Sequence, residues 1–428
     1  MFKYYSMSEF FAQLESCNFW GGHVHDTGIP RQRYLDRLKA FLGNRLTKVL
    51  VGQRRSGKSV ILRQIITGLL AQGVDPRNIF YLDKERLEFA ELTDFQQLDE
   101  LIGTYLKELA VRGKVYLFLD EVQEIAGWER VVNAYSQDSR RPYEVFVTGS
   151  NSHMLASELG TLLSGRYVPF EVFPFSFAEY AEAHGVARDK AAFIDFLQSG
   201  GLPELLHLTT DETRRHYVKA LRDSIILNDI VRRHGIKNVD LLERLFLFAC
   251  NNVGSLFSPN KVVHFLKSRG EKTNFETVTA YLSYLRKAFL IHECERFDIR
   301  GKEILSGNRK YYLNDIAFRH YLTSSFEPGW SRRLENIVYL HFRSRGYSVH
   351  VGTSRNLEVD FVIEKDGSVE YWQVCYLLSD ESIIDREFRS LESIQDNYPK
   401  FVVSMDDISF GERKGIRHRR IWDVLASP

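Results

Sequence analysis

Short β-rich runs alternate with helical stretches from about Thr47 to Glu171: TKVLV, IFYLD, VYLFLD, YEVFVTG and RYVPFEV. That alternation predicts a parallel sheet covered by helices. From about Ser176 to Gly235 the periodicity is helical, and from about Val239 to Tyr321 helices end in a hairpin expected around Gly301. After the break EPGWS a final α/β segment begins near Ser331. Its first stretch, SRRLENIVYLHFRSRG, is an amphipathic helix with Leu334, Ile337, Val338 and Phe342 on one face. NLEVDFVIEKDGSVEYWQVCY then reads as two strands around the turn Asp366-Gly367, and RKGIRHRRIWDVL adds a basic strand and a short helix. No internal repeat or low-complexity tract interrupts the chain.

Composition narrows the class. The 428 residues allow two to four domains, and 44% hydrophobic with 26% charged content fits an ordinary soluble protein. Lys+Arg 57 against Asp+Glu 56 leaves the chain almost neutral, so any nucleic-acid affinity must come from a local patch. Cys17, Cys250, Cys294 and Cys375 form no CxxC pair, which argues against zinc and for reduced thiols. Without an apolar run of membrane-spanning length or a signal-peptide core, the expectation is a cytosolic protein with no membrane partner.

The strongest chemical signal is VLVGQRRSGKSVILRQII. Gly52, Gln53, Arg54, Arg55, Ser56, Gly57, Lys58 and Ser59 fit GxxxxGK[ST] between an apolar strand and a helical pattern that continues at Val60. Glycines let backbone N–H groups approach phosphate oxygens, Lys58 would bridge the terminal phosphates, and the Ser59 hydroxyl would ligate Mg²⁺. VYLFLDEVQEI ends a strand in Asp120 and Glu121, where the first acid would hold Mg²⁺ and the second polarise the attacking water. ATP and Mg²⁺ are therefore the expected cofactors. The next strand ends VFVTGSNS, so Ser150 and Asn151 could sense a γ-phosphate or simply form a polar turn.

Taken together, GQRRSGKS, LDEVQEI, VTGSNSHML, LLSGRYVPFEVFPFSFAEY and GGLPEL resemble the AAA-type P-loop ATPases of bacteria and archaea that carry a C-terminal domain of unknown function, relatives of STAND-type switches. The resemblance extends over nearly the whole chain, NFW at 18–20 included. It implies that Arg166 lies near a γ-phosphate, of its own or a neighbouring subunit; the alternative is an Arg anchoring a strand end. It also implies a helical lid whose Gly201-Leu202-Pro203 element places Pro203 near the adenine, against the plainer reading of a helix-breaking turn. Arg33 and Tyr34 could flank the base, although a helix surface pair is the simpler reading.

SPNKVVHFLKS followed by NFETVTAYLSYLRKAFLIHECERF gives two helices and a strand, with Val278, Tyr281, Leu282, Leu285 and Leu290 apolar on the second. The pattern and the resemblance both suggest a winged helix-turn-helix. Lys261 to Lys310 holds 11 Lys/Arg against 6 Asp/Glu, and Thr273, Asn274, Thr277, Arg286 and Lys287 are candidate DNA contacts. A winged helix serving as a lid or protein-contact module is the alternative. The final segment follows the helix-then-hairpin layout of the PD-(D/E)xK nuclease fold, to which the family's C-terminal domain is similar. Glu335 and Asp360 occupy acidic positions, whereas Gln373 replaces the second hairpin carboxylate and Cys375 replaces the lysine. An amide binds Mg²⁺ poorly and a thiol is a soft ligand, so this reads as a degenerate nuclease site.

The resulting expectation is an α/β P-loop NTPase core (1–175), a helical lid (176–238), a winged helix (239–328) and a restriction-endonuclease-like α/β domain (329–428). The function it implies is an ATPase acting on duplex or branched DNA as a homo-oligomeric ring, six subunits being one option. The alternatives are a STAND-like signalling or scaffold ATPase with protein partners and, last, an ATP-dependent nuclease.

Overall fold

A computed structural model describes residues 7–22, 25–152, 163, 165–323 and 329–427. The chain divides into two compact units, Met1–Val172 and Phe173–Pro428.

In the first unit all five expected strands form: β1 (Thr47–Val51), β2 (Ile79–Asp83), β3 (Val115–Asp120), β4 (Tyr143–Gly149) and β5 (Tyr167–Glu171). They pair in parallel in the order β2-β3-β4-β1-β5. The helices are α1 (Met7–Cys17), α2 (Gln32–Lys39), α3 (Lys58–Ala71), α4 (Phe95–Glu108) and α5 (Trp128–Ser136). β1 and β4 are buried along their whole length, as strands covered on both faces must be. Two charges inside them, Lys48 and Glu144, are both fully buried and form an ion pair across the β1–β4 seam. α4 begins where Asp94 and Gln97 form a capping box.

The second unit opens with helices α6 (Phe177–His184), α7 (Lys190–Ser199) and α8 (Asp211–Ser224), the last running on through a π-helical stretch, Ile225–Val231. α9 (Val239–Asn251), α10 (Pro259–Ser268) and α11 (Phe275–Lys287) precede the hairpin β6 (Ile291–Asp298) and β7 (Glu303–Leu313). There follow α12 (Ala317–Leu322), α13 (Trp330–Ser344), β8 (Ser348–Ser354), β9 (Leu357–Lys365), β10 (Ser368–Val374), α14 (Glu381–Glu392), β11 (Lys400–Ser404), β12 (Glu412–Arg413), β13 (Ile416–Arg420) and α15 (Ile421–Ala426). The β9–β10 turn is the expected one: Asp366 and Gly367 take φ of 51° and 79°, the left-handed pair that a two-residue hairpin needs.

All eight of these strands form one sheet, in the order β12-β13-β11-β10-β9-β8-β6-β7. The hairpin expected as a wing is therefore part of the C-terminal sheet, because Arg296, Phe297 and Asp298 of β6 pair in parallel with Val351, Gly352 and Thr353 of β8. Asn336 of α13 reinforces the join by exchanging two hydrogen bonds with the backbone of Leu313, at 2.7 and 2.9 Å. The apolar core of the second unit is continuous from Phe177 to Leu425, and its sheet joins β6 and β7 to the strands that follow α13. No helix among the described residues is long and apolar enough to cross a membrane.

Candidate functional site

β1 delivers the chain into the loop Gly52–Gly57, from which α3 starts at Lys58. The loop needs its glycines for a steric reason. Gly52 has φ +154°, and a Cβ there would stand 2.3 Å from the carbonyl oxygen of Val172; Gly57, at φ +98°, sits against the Arg31 guanidinium. Arg55 also takes a positive φ, 67°. Gln53 and Ser56 are fully buried, Val60 is half-buried in the first turn of α3, and Arg54 forms an ion pair with Glu85.

Behind the loop lies a residue that the sequence did not single out. Arg31 is buried and donates from Nη1 to the carbonyl of Ser56 at 3.0 Å, with its guanidinium over the Tyr34 ring at 4.8 Å. Its backbone N–H donates to Gln64 of α3, whose amide donates in turn to the carbonyls of Thr27 and Ile29. The segment 27–34 thus braces both the loop and the helix that follows it. Tyr34 is wholly buried in the unit's core, so the surface-pair reading fails for it, while Arg33 donates to the Tyr34 hydroxyl at 3.3 Å.

Strands β2, β3 and β4 bring the acids to the loop. Lys58 Nζ lies 3.2 Å from Glu121 Oε1 and donates to the carbonyls of Gly52 and Gln53. The Ser59 hydroxyl is hydrogen-bonded to Asp120. Tyr81 on β2 donates to Asp120 Oδ2 at 3.1 Å, and Thr148 on β4 donates to Asp120 Oδ1 while accepting the Glu121 N–H at 2.9 Å. Gln123 donates to Glu121 Oε2 at 2.6 Å and to Ser150 Oγ at 3.4 Å. Glu121 itself is held at φ 51°, a costly conformation for a non-glycine residue.

Electrostatics separates the two acids. Burial, with Glu121 adjacent, pushes Asp120 up to about 6. Burial acts on Glu121 in the same direction, but Lys58, Gln123 and Arg54 outweigh it and hold that carboxyl below its ordinary range. The residues fit a Mg²⁺–triphosphate: Ser59 and Asp120 already face one another, and Ser56 Oγ is buried in the loop without a hydrogen-bond partner among the described residues. Ser150 and Asn151 are buried at the end of β4, and Ser150 reaches the acids through Gln123. The polar residue in direct contact with both acids is Thr148, two positions earlier in VFVTGSNS. A period-two count along β4 could have found it, since Thr148 and Ser150 share a face.

Arg166 cannot serve the site of its own chain. It enters β5, whose Tyr167 pairs with Thr47, so it stands at the amino edge of a parallel sheet whose carboxyl edge carries the loop. Five residues at about 3.3 Å each put roughly 16 Å between those edges. The side chain is exposed and donates to Asn133 at 3.1 Å. The stretches 153–162 and 164, which overlap VTGSNSHML and LLSGR, lie outside the described residues.

Gly201-Leu202-Pro203 belongs to the second unit. A Cβ at Gly201 would meet the Phe175 carbonyl at 2.2 Å and one at Gly200 would meet Asp315 Oδ1 at 2.0 Å, while Pro203 opens a 3₁₀ turn, Pro203–His207. Close packing thus accounts for both glycines. Asp315 accepts the N–H groups of Gly201 and Ala317, and burial pushes it up to about 7.

Among the candidate DNA contacts, Asn274 caps α11 by accepting the Thr277 N–H at 2.8 Å, with Thr273 preceding the cap. Arg286 and Arg309 both pair with Glu293, so part of the positive excess counted in this segment is neutralised locally; Lys287 is half-buried on the same turn. In the C-terminal sheet the structure brings Glu335 and Asp360 together, but around Lys310 of β7. Its Nζ lies 2.7 Å from Glu335 Oε1, 2.8 Å from Glu358 Oε1 and 3.6 Å from Asp360 Oδ1. Burial pulls the Lys310 ammonium down, yet the carboxylates of Glu335, Asp360 and Glu358 hold it well above its usual value, while burial and Glu335 push Asp360 up to about 8. Gln373 turns to α14, donating to Glu387 at 3.0 Å, and Cys375 lies in an apolar cluster with Leu378 and Phe388, which pushes its thiol up to about 12.

Comparison with known proteins gives this geometry its family. Residues 44–181 match the AAA domain family, and residues 190–328 match a domain of unknown function, DUF8612. An uncharacterized protein of Methanocaldococcus jannaschii is 29% identical over 360 residues, covering 81% of this chain and 78% of its own. Among solved structures, the Aeropyrum pernix Orc1 protein in complex with DNA is 15% identical and covers 69% of this chain and 92% of that one, with a TM-score of 0.33. An uncharacterized protein of Haemophilus influenzae is 36% identical over 381 residues, 88% of this chain and 93% of its own. The chain belongs to the same family as that Haemophilus influenzae protein, and the phosphate-loop unit it carries is an AAA domain.

Proposed function

We propose that the protein binds ATP and hydrolyses it to ADP and phosphate. The observation that carries this reading is the convergence of Lys58, Ser59, Asp120 and Glu121 at one loop, with Thr148 holding both acids. The loop N–H groups and the start of α3 receive the phosphate oxygens. Mg²⁺, held by Ser59 and Asp120, would supply neutralisation of charge on the β- and γ-phosphates. Lys58 leaves Glu121 for the phosphates as they enter, and the freed Glu121 takes the proton of the water whose oxygen attacks the γ-phosphorus. Gln123 keeps the Glu121 carboxylate oriented meanwhile.

Further parts of the reading concern partners. Arg166, remote from its own chain's phosphate loop, is a candidate to reach a neighbouring subunit's γ-phosphate, which calls for a homo-oligomer. Pro203 is a candidate lid contact to the adenine. The helices α10 and α11 carry the local basic excess and favour DNA as a partner. Absorption of the adjoining hairpin into the C-terminal sheet, and the pairing of Arg286 with Glu293, favour the second reading: a nucleotide-gated ATPase that engages a protein.

The test compares ATP turnover by the wild type, Lys58→Ala and Glu121→Gln, with and without duplex, single-stranded and four-way DNA. Turnover that vanishes in both variants supports the reading, and stimulation by DNA selects the first partner class. Turnover that persists undiminished in Glu121→Gln would refute the assigned base.

A further inference from the structure

The resemblance of residues 329–428 to a nuclease fold implies a divalent cation held by Glu335 and Asp360. The order helix α13, three antiparallel strands β8 to β10, helix α14 and the parallel strand β11 follows that layout. The side chains do not fit the metal. Lys310 Nζ already stands between the carboxylates of Glu335, Glu358 and Asp360, with its own side chain only 3% exposed. A Mg²⁺ ion would need oxygens at about 2.0–2.1 Å in that same space.

The surrounding groups hold the arrangement shut. Tyr312 donates its hydroxyl to Glu335 Oε1 at 2.6 Å, and Asp360 Oδ2 accepts the Val374 N–H at 2.9 Å. Over the far side of Glu335 passes the backbone at Gly254, so close that a Cβ there would lie 2.9 Å from Oε2. Gln373, which might have added an oxygen, accepts the Asp360 N–H with Oε1 and donates to Glu387 with Nε2. Cys375 is directed to the Leu377 carbonyl. Among the described residues no three His, Cys, Asp or Glu side chains are placed to hold a metal ion.

We propose that Lys310 is the resident cation of this site: a protein-borne ammonium stands where the fold would place a divalent ion, and it ties the β6–β7 hairpin to α13 and β9 without metal. The lysine comes from a strand outside the nuclease-like layout, and therefore couples the helix-turn-helix segment to the C-terminal sheet. This inference is independent of ATP hydrolysis, which none of its measurements reads.

The test uses the nucleotide-free full-length chain, with Mn²⁺ alone as probe. Mn²⁺ binding is followed by electron paramagnetic resonance in the wild type and in Asp360→Asn, and melting is followed in EDTA and in millimolar Mn²⁺. The phosphate-loop acid Asp120 is intact in every variant, so only a difference between the two proteins reports on this site. The expected result is no Asp360-dependent Mn²⁺ site and the same shift in melting temperature from EDTA to Mn²⁺ in both proteins. Lys310→Met, which strands the carboxylates, should melt roughly 5–10 °C lower in EDTA. An Mn²⁺ site or Mn²⁺-dependent DNA nicking that Asp360→Asn abolishes would overturn the proposal, as would Lys310→Met melting like the wild type. Should Lys310→Met fail to fold, the wild-type and Asp360→Asn arms decide alone.

Discussion

Replacing Lys58 with Ala removes more than a phosphate ligand, because in the nucleotide-free protein its ammonium is 3.2 Å from a Glu121 carboxylate that is only 5% exposed. Deleting one partner of a buried pair leaves the other charge uncompensated, at a cost of about 3–5 kcal/mol. Gln123 still donates to Glu121, so the lower figure, about 3 kcal/mol, is the better expectation. For a unit of this size, Met1–Val172, each kcal/mol moves the midpoint by about 2–4 °C, giving a fall of roughly 6–12 °C. The assay is calorimetric melting of nucleotide-free protein near pH 7.5. In the double variant Lys58→Ala/Glu121→Gln no charge is stranded, and most of the loss should return, with a coupling of about 2 kcal/mol in the cycle. A Lys58→Ala protein melting within a degree or two of wild type, or a double variant no more stable than the single, would refute the ion pair as a structural element of the empty site.

Arg31→Met removes the charged donor to the Ser56 carbonyl, and calorimetric titration should show ATP binding about tenfold weaker, about 1.4 kcal/mol; unchanged affinity would remove Arg31 from the loop's support. Thr148→Val keeps the shape but strands the Glu121 N–H and the Asp120 oxygen, so steady-state turnover should fall at least about tenfold while ATP affinity changes less than about threefold. Equal losses in both would contradict that role. Asp315, pushed up to about 7 by burial, binds its proton more tightly folded than unfolded, so its stabilisation is complete below about pH 4 and is lost as the pH rises through 7. The change is up to about 4 kcal/mol, and urea unfolding of Asp315→Asn should show a flatter curve over that window than wild type. The same slope in both proteins would exclude Asp315 as its source.

The phosphate loop was legible because its chemistry is local: eight consecutive residues, a strand before and a helix after. The placing of Asp120 and Glu121 at the end of β3 was legible for the same reason, as were the five strands of the first sheet. What escaped were partners brought in from elsewhere in the chain. Arg31 reaches Ser56 across 25 residues, and Thr148 reaches Asp120 across 28, with no spacing rule to announce either. Lys310 was hidden more deeply, because the nuclease-like pattern spans residues 335 to 375 while the lysine comes from a hairpin whose sequence reads as a wing. That hairpin was itself correctly placed around Gly301, yet nothing in a strand's sequence names its neighbour, and β6 chose β8. A charge count along residues 261–310 likewise could not see that Arg286 and Arg309 share Glu293.

The central claim is that the loop Gly52–Gly57, with Lys58, Ser59 and Asp120, grips a Mg²⁺–triphosphate. Isothermal titration of ATP into the nucleotide-free protein with excess Mg²⁺ tests it most directly, alongside Lys58→Ala and the same titration in EDTA. The account predicts saturable one-to-one binding that weakens sharply in Lys58→Ala and in EDTA. Absence of binding at millimolar ATP and Mg²⁺, or binding of equal strength in Lys58→Ala, would contradict it.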